Sequence, residues 1–365
     1  MSFRVLFVPH ATSRVAATRL RINQFLPALD EAGISYTIVP MASDWTTRHM
    51  LMSPTFRGPR RLLHYVEVLL EKILRFPIVL YQARHHDVVF LQRTTLPFRL
   101  ERLLRLANPR IIFDFDDSIF MADPESNFLG PIDDLKAWVK PREFRNAVSA
   151  SRMAIAGNEF LRRHVEGFCK QVRVMEESVD ARRYTVKVKE PEQYVTIGWI
   201  GSPSTSGHLK LLEPVLRRLA GIRPIRLKLV GAGSYACEGV PLVSVDWTYE
   251  SEVPQLQTFD IGIMPTPPDK WGKGKLGTKM LQYMAVGVPA VVSFSEANAA
   301  VIRHGVNGLV ARGEDEWFEA LRTLVDDPAL RRELGLRGRK TIEEKFSLSE
   351  NSARFVGILE EVRAG

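Results

Sequence analysis

The sequence predicts an α/β protein built from two successive units, each a parallel sheet with helices on both faces. Short β-branched runs alternate with segments of helical period along the whole chain. A polar stretch, residues 180–192, interrupts the alternation, which then restarts. The 365 residues also exceed what one ordinary core organises and fit two domains of roughly 150 to 190 residues.

The first unit, residues 1–180, opens on an apolar run that contains Arg4 and lacks a small-residue cleavage site, so it reads as a strand rather than a leader peptide. Strands are expected at 4–9, 35–39, 88–92, 111–115, 153–156 and 172–175, with helices at 17–32 and 96–107. Residues 181–193 read as a linker. The second unit, residues 194–346, takes strands at 195–200, 225–230, 242–245, 261–264 and 290–294. Helices follow at about 316–326, 328–345 and 349–363, and the segment 347–365 is expected to pack back towards the first unit.

Composition narrows the function. Hydrophobic residues make up 45% and charged residues 25%, the proportions of a soluble globular protein. Cys169 and Cys237 stand far apart without metal-ligand spacing, which argues against a disulfide framework and a zinc site and points to a cytoplasmic location. The net charge of +8 is concentrated in residues 48–110, where 12 Lys and Arg face four acids. Leu, Val and Ile interleave these cations more than stacking aromatics do, and no nucleic-acid motif is present. Nucleic acid is therefore set aside in favour of an anionic membrane surface, at the inner face of the plasma membrane, or a phosphate-bearing substrate. Within this segment Leu62, Val66, Leu69, Ile73 and Phe76 recur at helical spacing, with Arg60, Arg61, His64, Lys72 and Arg75 on the other side. With Glu67 and Glu71 it carries too many charges to span a bilayer, so it would lie in the interface; alternatively its apolar stripe covers the sheet.

Open parallel sheets bind ligands at the carboxyl ends of their strands, so the loops there carry the chemistry. After the strand at 195–200, Gly201 lets the chain approach a ligand, while Ser204 or Thr205 can cap the following helix and aim amide N–H groups at an anion. In GKLGTKMLQYMAVGVP (274–289), Thr278 is a candidate N-cap, and Lys279 sits in a first helical turn that disfavours a cation unless an anion neutralises it. With Lys275 in the approach loop, two ammonium groups and a helix N-terminus suit a diphosphate. Asp114, Asp116 and Asp117 end a strand; they suit a metal-bound diphosphate, a helix cap or a pairing with Arg93. Arg14, Arg19, Arg21 and Arg93 could receive an anionic acceptor.

Taken together, these residues resemble a family. TKMLQYMAVGVPAVVS (278–293) followed by HGVNGLVA (304–311) is similar to the donor-site signature of family 4 glycosyltransferases with the GT-B fold, and IGWIGSPST (197–205), IFDFDD (112–117), AGNEF (156–160) and FDIGIMP (259–265) support it. The resemblance implies two Rossmann-like domains whose parallel sheets face each other across a cleft, and transfer of a sugar from a nucleotide diphosphate donor with retention at the anomeric carbon. It implies a catalytic set of Asp116, Lys275 and Lys279, and a donor set of Gly201, Ser202, Ser204, Thr205, Lys275, Thr278, Lys279 and Gln282. Arg14, Arg19 and Arg93 would face the acceptor, which is a glycan, a lipid-linked molecule or a small molecule. Neither metal nor cofactor is then required, and a UDP-sugar is expected ahead of a GDP-sugar. Many relatives carry two glutamates eight positions apart, where this chain has Gly274 and Gln282; Gln282 can still hydrogen-bond a ribose hydroxyl, and Gly274 cannot. Asp116 stands where relatives often place a histidine. The competing readings are a nucleotide-sugar epimerase of similar fold and a non-catalytic sugar-nucleotide binding protein.

Overall fold

A computed structural model describes residues 3–52, 56, 58–121, 131–186, 193–267 and 277–365. These fall into two compact units. The first comprises Met1–Glu177 and Leu348–Gly365, the second Ser178–Lys273 and Gly277–Ser347.

In the first unit the order is β1 (Arg4–Pro9), α1 (Ala16–Arg21), α2 (Leu26–Glu31), β2 (Ser35–Ile38), α3 (Asp44–Met52), α4 (Gly58–Ala83), β3 (Val88–Gln92), α5 (Glu101–Ala107), β4 (Ile111–Phe115), α6 (Pro131–Ala150), β5 (Met153–Ala156), α7 (Glu159–Val165) and β6 (Gln171–Val174). All pairings are parallel, in the order β2-β1-β3-β4-β5-β6. The central strands are buried on both sides, which is why they read as unbroken apolar runs. Alternate residues serve opposite faces: Leu6, Val8, Leu91, Phe113 and Phe115 pack with Phe144 of α6, whereas Phe7, Phe90, Ile112 and Ile155 pack with Phe25 and the closing helix of the chain.

The second unit runs β7 (Val195–Ile200), a 3-10 helix (Pro203–Leu212), α8 (Glu213–Ala220), β8 (Ile225–Val230), β9 (Leu242–Val245), α9 (Glu252–Leu256), β10 (Ile261–Met264), α10 (Thr278–Ala285), β11 (Ala290–Ser293), α11 (Glu296–Val301), β12 (Leu309–Ala311), α12 (Glu314–Asp326) and α13 (Pro328–Lys345). Its parallel order is β12-β11-β10-β7-β8-β9. Strand order reverses between β1 and β3 in one sheet and between β7 and β10 in the other, the positions where such sheets open a crevice. Helix α14 (Leu348–Ala364) returns to the first unit, where Phe355 stacks on Phe25 at 4.6 Å and lies edge-on to Phe90 at 5.5 Å.

The elements depart from expectation in four places. The helix expected at 17–32 breaks at Ile22 (φ −130°) and restarts as α2 with Pro27 in its first turn, because a proline there has no N–H to continue the ladder. The segment 96–107 begins with Phe98 and Arg99 in left-handed conformation, so only Glu101–Ala107 is α-helical. Strand β12, three residues long, gives no periodicity to read. Most consequential is α4: its carboxyl-terminal part covers the sheet through Phe76, Val79 and Ala83, but much of the apolar stripe before it faces outward, with Leu63, Leu70 and Leu74 exposed, while Arg61 and His64 are buried. Its polar side is occupied by the segment entering α3, since Glu67 accepts from the Thr46 hydroxyl and Glu71 from the Ser43 amide.

Truncating Phe355 to Ala should cost about 3–5 kcal/mol of first-unit stability, the range for a buried Phe. Urea unfolding followed by a probe in that unit measures it; a loss under ~1 kcal/mol would contradict the packing of α14 described here.

Candidate functional site

In the second unit the loops after β7 and β8 and the start of α10 meet at Gly201. A Cβ there would stand 2.5 Å from the Trp199 ring and 2.7 Å from Cε of Lys279, so only glycine lets the lysine stem lie across the backbone. The half-buried Lys279 places Nζ 5.1 Å from the centre of the Trp199 ring, a cation–π contact that fixes where the ammonium sits. Gly231, at φ 75°, brings the next loop so close that its Cβ would be 2.5 Å from the Gly201 carbonyl oxygen. Residues 201 and 279 are far apart in sequence and adjacent in the fold.

Helix α10 begins one residue before expectation: Gly277 is its N-cap and Thr278 its first residue. Gly277 has no side chain with which to cap this end, and no acid stands in the first turn. Beside it lies Asn298, 1% exposed, whose Nδ2 donates to the Ser293 carbonyl while Oδ1 has no hydrogen-bond partner among the described residues. A buried acceptor of that kind costs free energy unless something donates to it. The expected cap by Ser204 or Thr205 is also corrected. Ser202 holds the N-cap position of the 3-10 helix without a side-chain capping bond, and the Thr205 hydroxyl turns back to the Ser202 carbonyl at 3.2 Å. Ser204 lies on that 3-10 helix.

Gln282 is buried, and its amide nitrogen donates to Tyr184 Oη at 3.1 Å. Tyr184 donates in turn to Glu252, which also accepts from Trp247 Nε1 at 2.7 Å and pairs with Arg183 at 2.9 Å. Burial, reinforced by the Glu252 charge, pushes the Tyr184 hydroxyl well above its ordinary range, so it remains a proton donor. This chain of bonds ties residues 183–184 to α10. Sequence reading missed it, because no spacing links positions 184, 252 and 282. Gly274 and Lys275 lie outside the described residues.

In the first unit, charged groups gather where β1, β3 and β4 end. The Arg21 guanidinium takes both oxygens of Asp114 and donates to the Met175 carbonyl at 2.6 Å, all of it buried. Arg21 and Asp114 are thus spent on structure. Arg93, in left-handed conformation at φ 52°, donates to Asp116 and stands 3.8 Å from Asp117. Burial alone would raise the Asp116 carboxyl, but the Arg93 and Arg21 charges outweigh it and hold it well below the usual range. Of the other two candidate acceptor arginines, Arg14 pairs with the exposed Asp44 and Arg19 folds back onto the carbonyls of Ser13 and Arg14. Beside Arg93 stands His10, whose Nδ1 is 3.2 Å from Gln92 Oε1. Burial, then the Arg93 charge, holds its imidazole down at about 4, so it is neutral at neutral pH. Its place directly after the first strand is the signal that could have found it.

Residues 193–327 match the family model of group 1 glycosyl transferases. The second unit therefore carries a group 1 glycosyltransferase domain, and the matched span contains Gly201, Thr278, Lys279, Gln282 and Asn298. Sucrose-phosphate synthase from Thermosynechococcus elongatus superposes with a TM-score of 0.73 at 13% identity, covering 99% of both chains. HepE of Anabaena, solved with UDP and glucose, gives 0.68 at 12% identity over 98% of this chain and 100% of the other. A UDP-forming α,α-trehalose-phosphate synthase from Burkholderia xenovorans gives 0.64 at 14% identity over 99% of each. With the strand orders above, these likenesses establish the GT-B fold of two Rossmann-like domains.

The depressed His10 has a consequence for stability. Unfolded chain takes up a proton below about pH 6.5 that the folded protein refuses until about 4, so stability falls as pH drops through that window and this contribution is level below it. His10→Gln should flatten the fall between those two pH values in urea midpoints; an unchanged slope would contradict the burial of a neutral imidazole.

Proposed function

We propose that the protein is a retaining, metal-independent glycosyltransferase of family 4 that moves a sugar from a nucleotide diphosphate, a UDP-sugar ahead of a GDP-sugar, to a hydroxyl of a glycan, lipid-linked or small-molecule acceptor. The observation that carries this reading is the mouth of α10, where Lys279 is held over Trp199 and against Gly201 beside a helix N-terminus without a side-chain cap. A diphosphate at that place meets one fixed cation and the positive end of a helix dipole. Both act most strongly as the nucleotide leaves and its terminal phosphate gains charge. Lys275 supplies a second cation in this proposal, Ser202, Ser204 and Thr205 border the same phosphates, and the buried Asn298 Oδ1 accepts from a donor hydroxyl or amide.

The first unit's cluster serves the acceptor. Because Arg93 holds the Asp116 carboxyl far below neutral, Asp116 is a poor base and a good hydrogen-bond acceptor, suited to orienting a hydroxyl. His10, neutral beside it and held down at about 4, is likewise a weak base and serves as a hydrogen-bonding group to the same hydroxyl.

Release of free UDP from a UDP-sugar separates transfer from epimerisation and from passive binding. Lys279→Ala should lower turnover by about 100-fold, the effect of removing one donor to developing charge, with little change in melting temperature. Excess EDTA should leave turnover unaltered. Undiminished turnover in the variant would refute the diphosphate assignment, and loss with EDTA restored by magnesium would refute metal independence.

The acceptor side of the proposal includes contact with an anionic lipid surface through α4. Leu62, Leu63, Leu70, Leu74 and Ile78 are exposed on this helix, and the exposed charges of α4 and of 84–106 are Arg60, Arg84, Arg99, Arg102 and Arg105. The acids are engaged: Glu67 with Thr46, Glu71 with Arg75, Asp87 with the Arg4 amide, and Glu101 is buried. Exposed apolar and cationic side chains of this kind complement anionic headgroups, where each cation adds up to ~1 kcal/mol. Among the described residues no helix is long and apolar enough to cross a membrane. The protein should sediment with anionic but not neutral liposomes at low salt, and Leu70→Glu/Leu74→Glu should abolish this. Equal recovery in the supernatant with both lipids would contradict it.

A further inference from the structure

Apart from the groups discussed above, one cluster of ligand-type side chains stands out in the first unit. His49 projects from α3, and His64 and Glu67 stand three residues apart on α4. Both imidazole Nδ1 atoms face the same carboxylate oxygen, Glu67 Oε2, at 3.5 Å from His49 and 3.3 Å from His64. The three ligand atoms all lie within 4.8 Å of one another. In a tetrahedral site with bonds of about 2.0–2.1 Å, neighbouring ligand atoms are about 3.3 Å apart, so two of the three separations already have the spacing an ion would impose.

We propose that His49, His64 and Glu67 bind a divalent transition metal of the zinc type, which ties α3 to the amino-terminal part of α4. The rest of the carboxylate is prepared for this. Glu67 Oε1 accepts from the Thr46 hydroxyl at 3.1 Å, and that threonine is 2% exposed, so the oxygen facing the imidazoles is oriented from behind. Trp45 and Phe56 hold the two imidazole rings, with ring centres 4.5 Å from His49 and 5.6 Å from His64. A cavity of about 330 Å³, lined by these five side chains together with Arg60 and Leu63, gives an ion its entry and a water the fourth position. Two imidazoles and one carboxylate select zinc, cobalt or nickel over magnesium or calcium, which prefer all-oxygen shells. The role is structural. A metal here fixes the inward, polar side of the helix whose outward side is apolar, and it takes no part in sugar transfer.

The full chain, stripped with a chelator and exchanged into metal-free buffer, is titrated with zinc chloride by calorimetry and with cobalt(II) by visible absorption. One ion per chain is expected, with the intense absorption of tetrahedral cobalt. The His49 side chain is 26% exposed, so its replacement should leave the fold intact; His49→Ala is expected to weaken zinc binding more than ~100-fold, beyond the loss from an outer-shell partner. Glu67→Gln, which keeps size and hydrogen bonding but removes the charge, should abolish the cobalt spectrum. Failure of the wild type to bind zinc overturns the proposal, as does undiminished affinity in both variants. The outcome is independent of the turnover measured with EDTA.

Discussion

The second unit depends on the missing side chain at Gly201. A single methyl group there would strike the Trp199 ring and the Lys279 stem, while the neighbouring Gly231 presses on the same backbone from the next loop. Three segments distant in sequence converge because the two loops are glycine at the meeting point, which leaves room for the Lys279 stem. The consequence is electrostatic. Lys279 is set over an aromatic face at the start of a helix, where its charge is unfavourable by itself and favourable once an anion is present. If the proposed diphosphate binds there, its subsite is ready before the ligand arrives.

The first unit solves a different electrostatic problem. Asp114 and Asp116 end one buried strand, close enough to repel, and each is given its own arginine. Arg21 takes Asp114 in a fully buried, two-toothed pair that also anchors the Met175 carbonyl. Removing one member of such a pair leaves an uncompensated charge, which makes the arrangement obligatory rather than tunable. Asp116 is buried beneath Arg93, where a partly exposed guanidinium, 19% accessible, and a neutral His10 are the groups open to a ligand. A triplet of acids that in sequence suits a metal is, in the fold, two ion pairs with Asp117 beside the second.

Much of this was legible from residues alone. Central parallel strands are buried on both faces, so their apolar runs announce them, and among the described residues eleven of the twelve strands fall at expected positions. Lys279 and Gly201 were legible because a cation in a first helical turn and a glycine after a strand each need a reason. What could not be read depends on distance in sequence or on which side of an element is used. Gln282 points into a buried network through Tyr184 to Glu252, two residues that no periodicity connects to it. The amphipathic period of α4 was plain, yet its orientation was not. The polar side faces inward because α3 and the residue before it supply partners there, and a hydrophobic stripe by itself does not say whether a sheet or the outside receives it.

The central claim is that the mouth of α10 is a diphosphate subsite, and its most direct test is calorimetric titration of the wild-type chain with UDP, UMP and uridine. If the helix terminus and Lys279 hold phosphates, affinity rises with each one, UDP binding at least ~10-fold more tightly than UMP, a step of about 1.4 kcal/mol, with uridine weaker still. Equal affinity for all three would contradict the account, since binding would then reside in the base and ribose and leave the cation over Trp199 without a ligand.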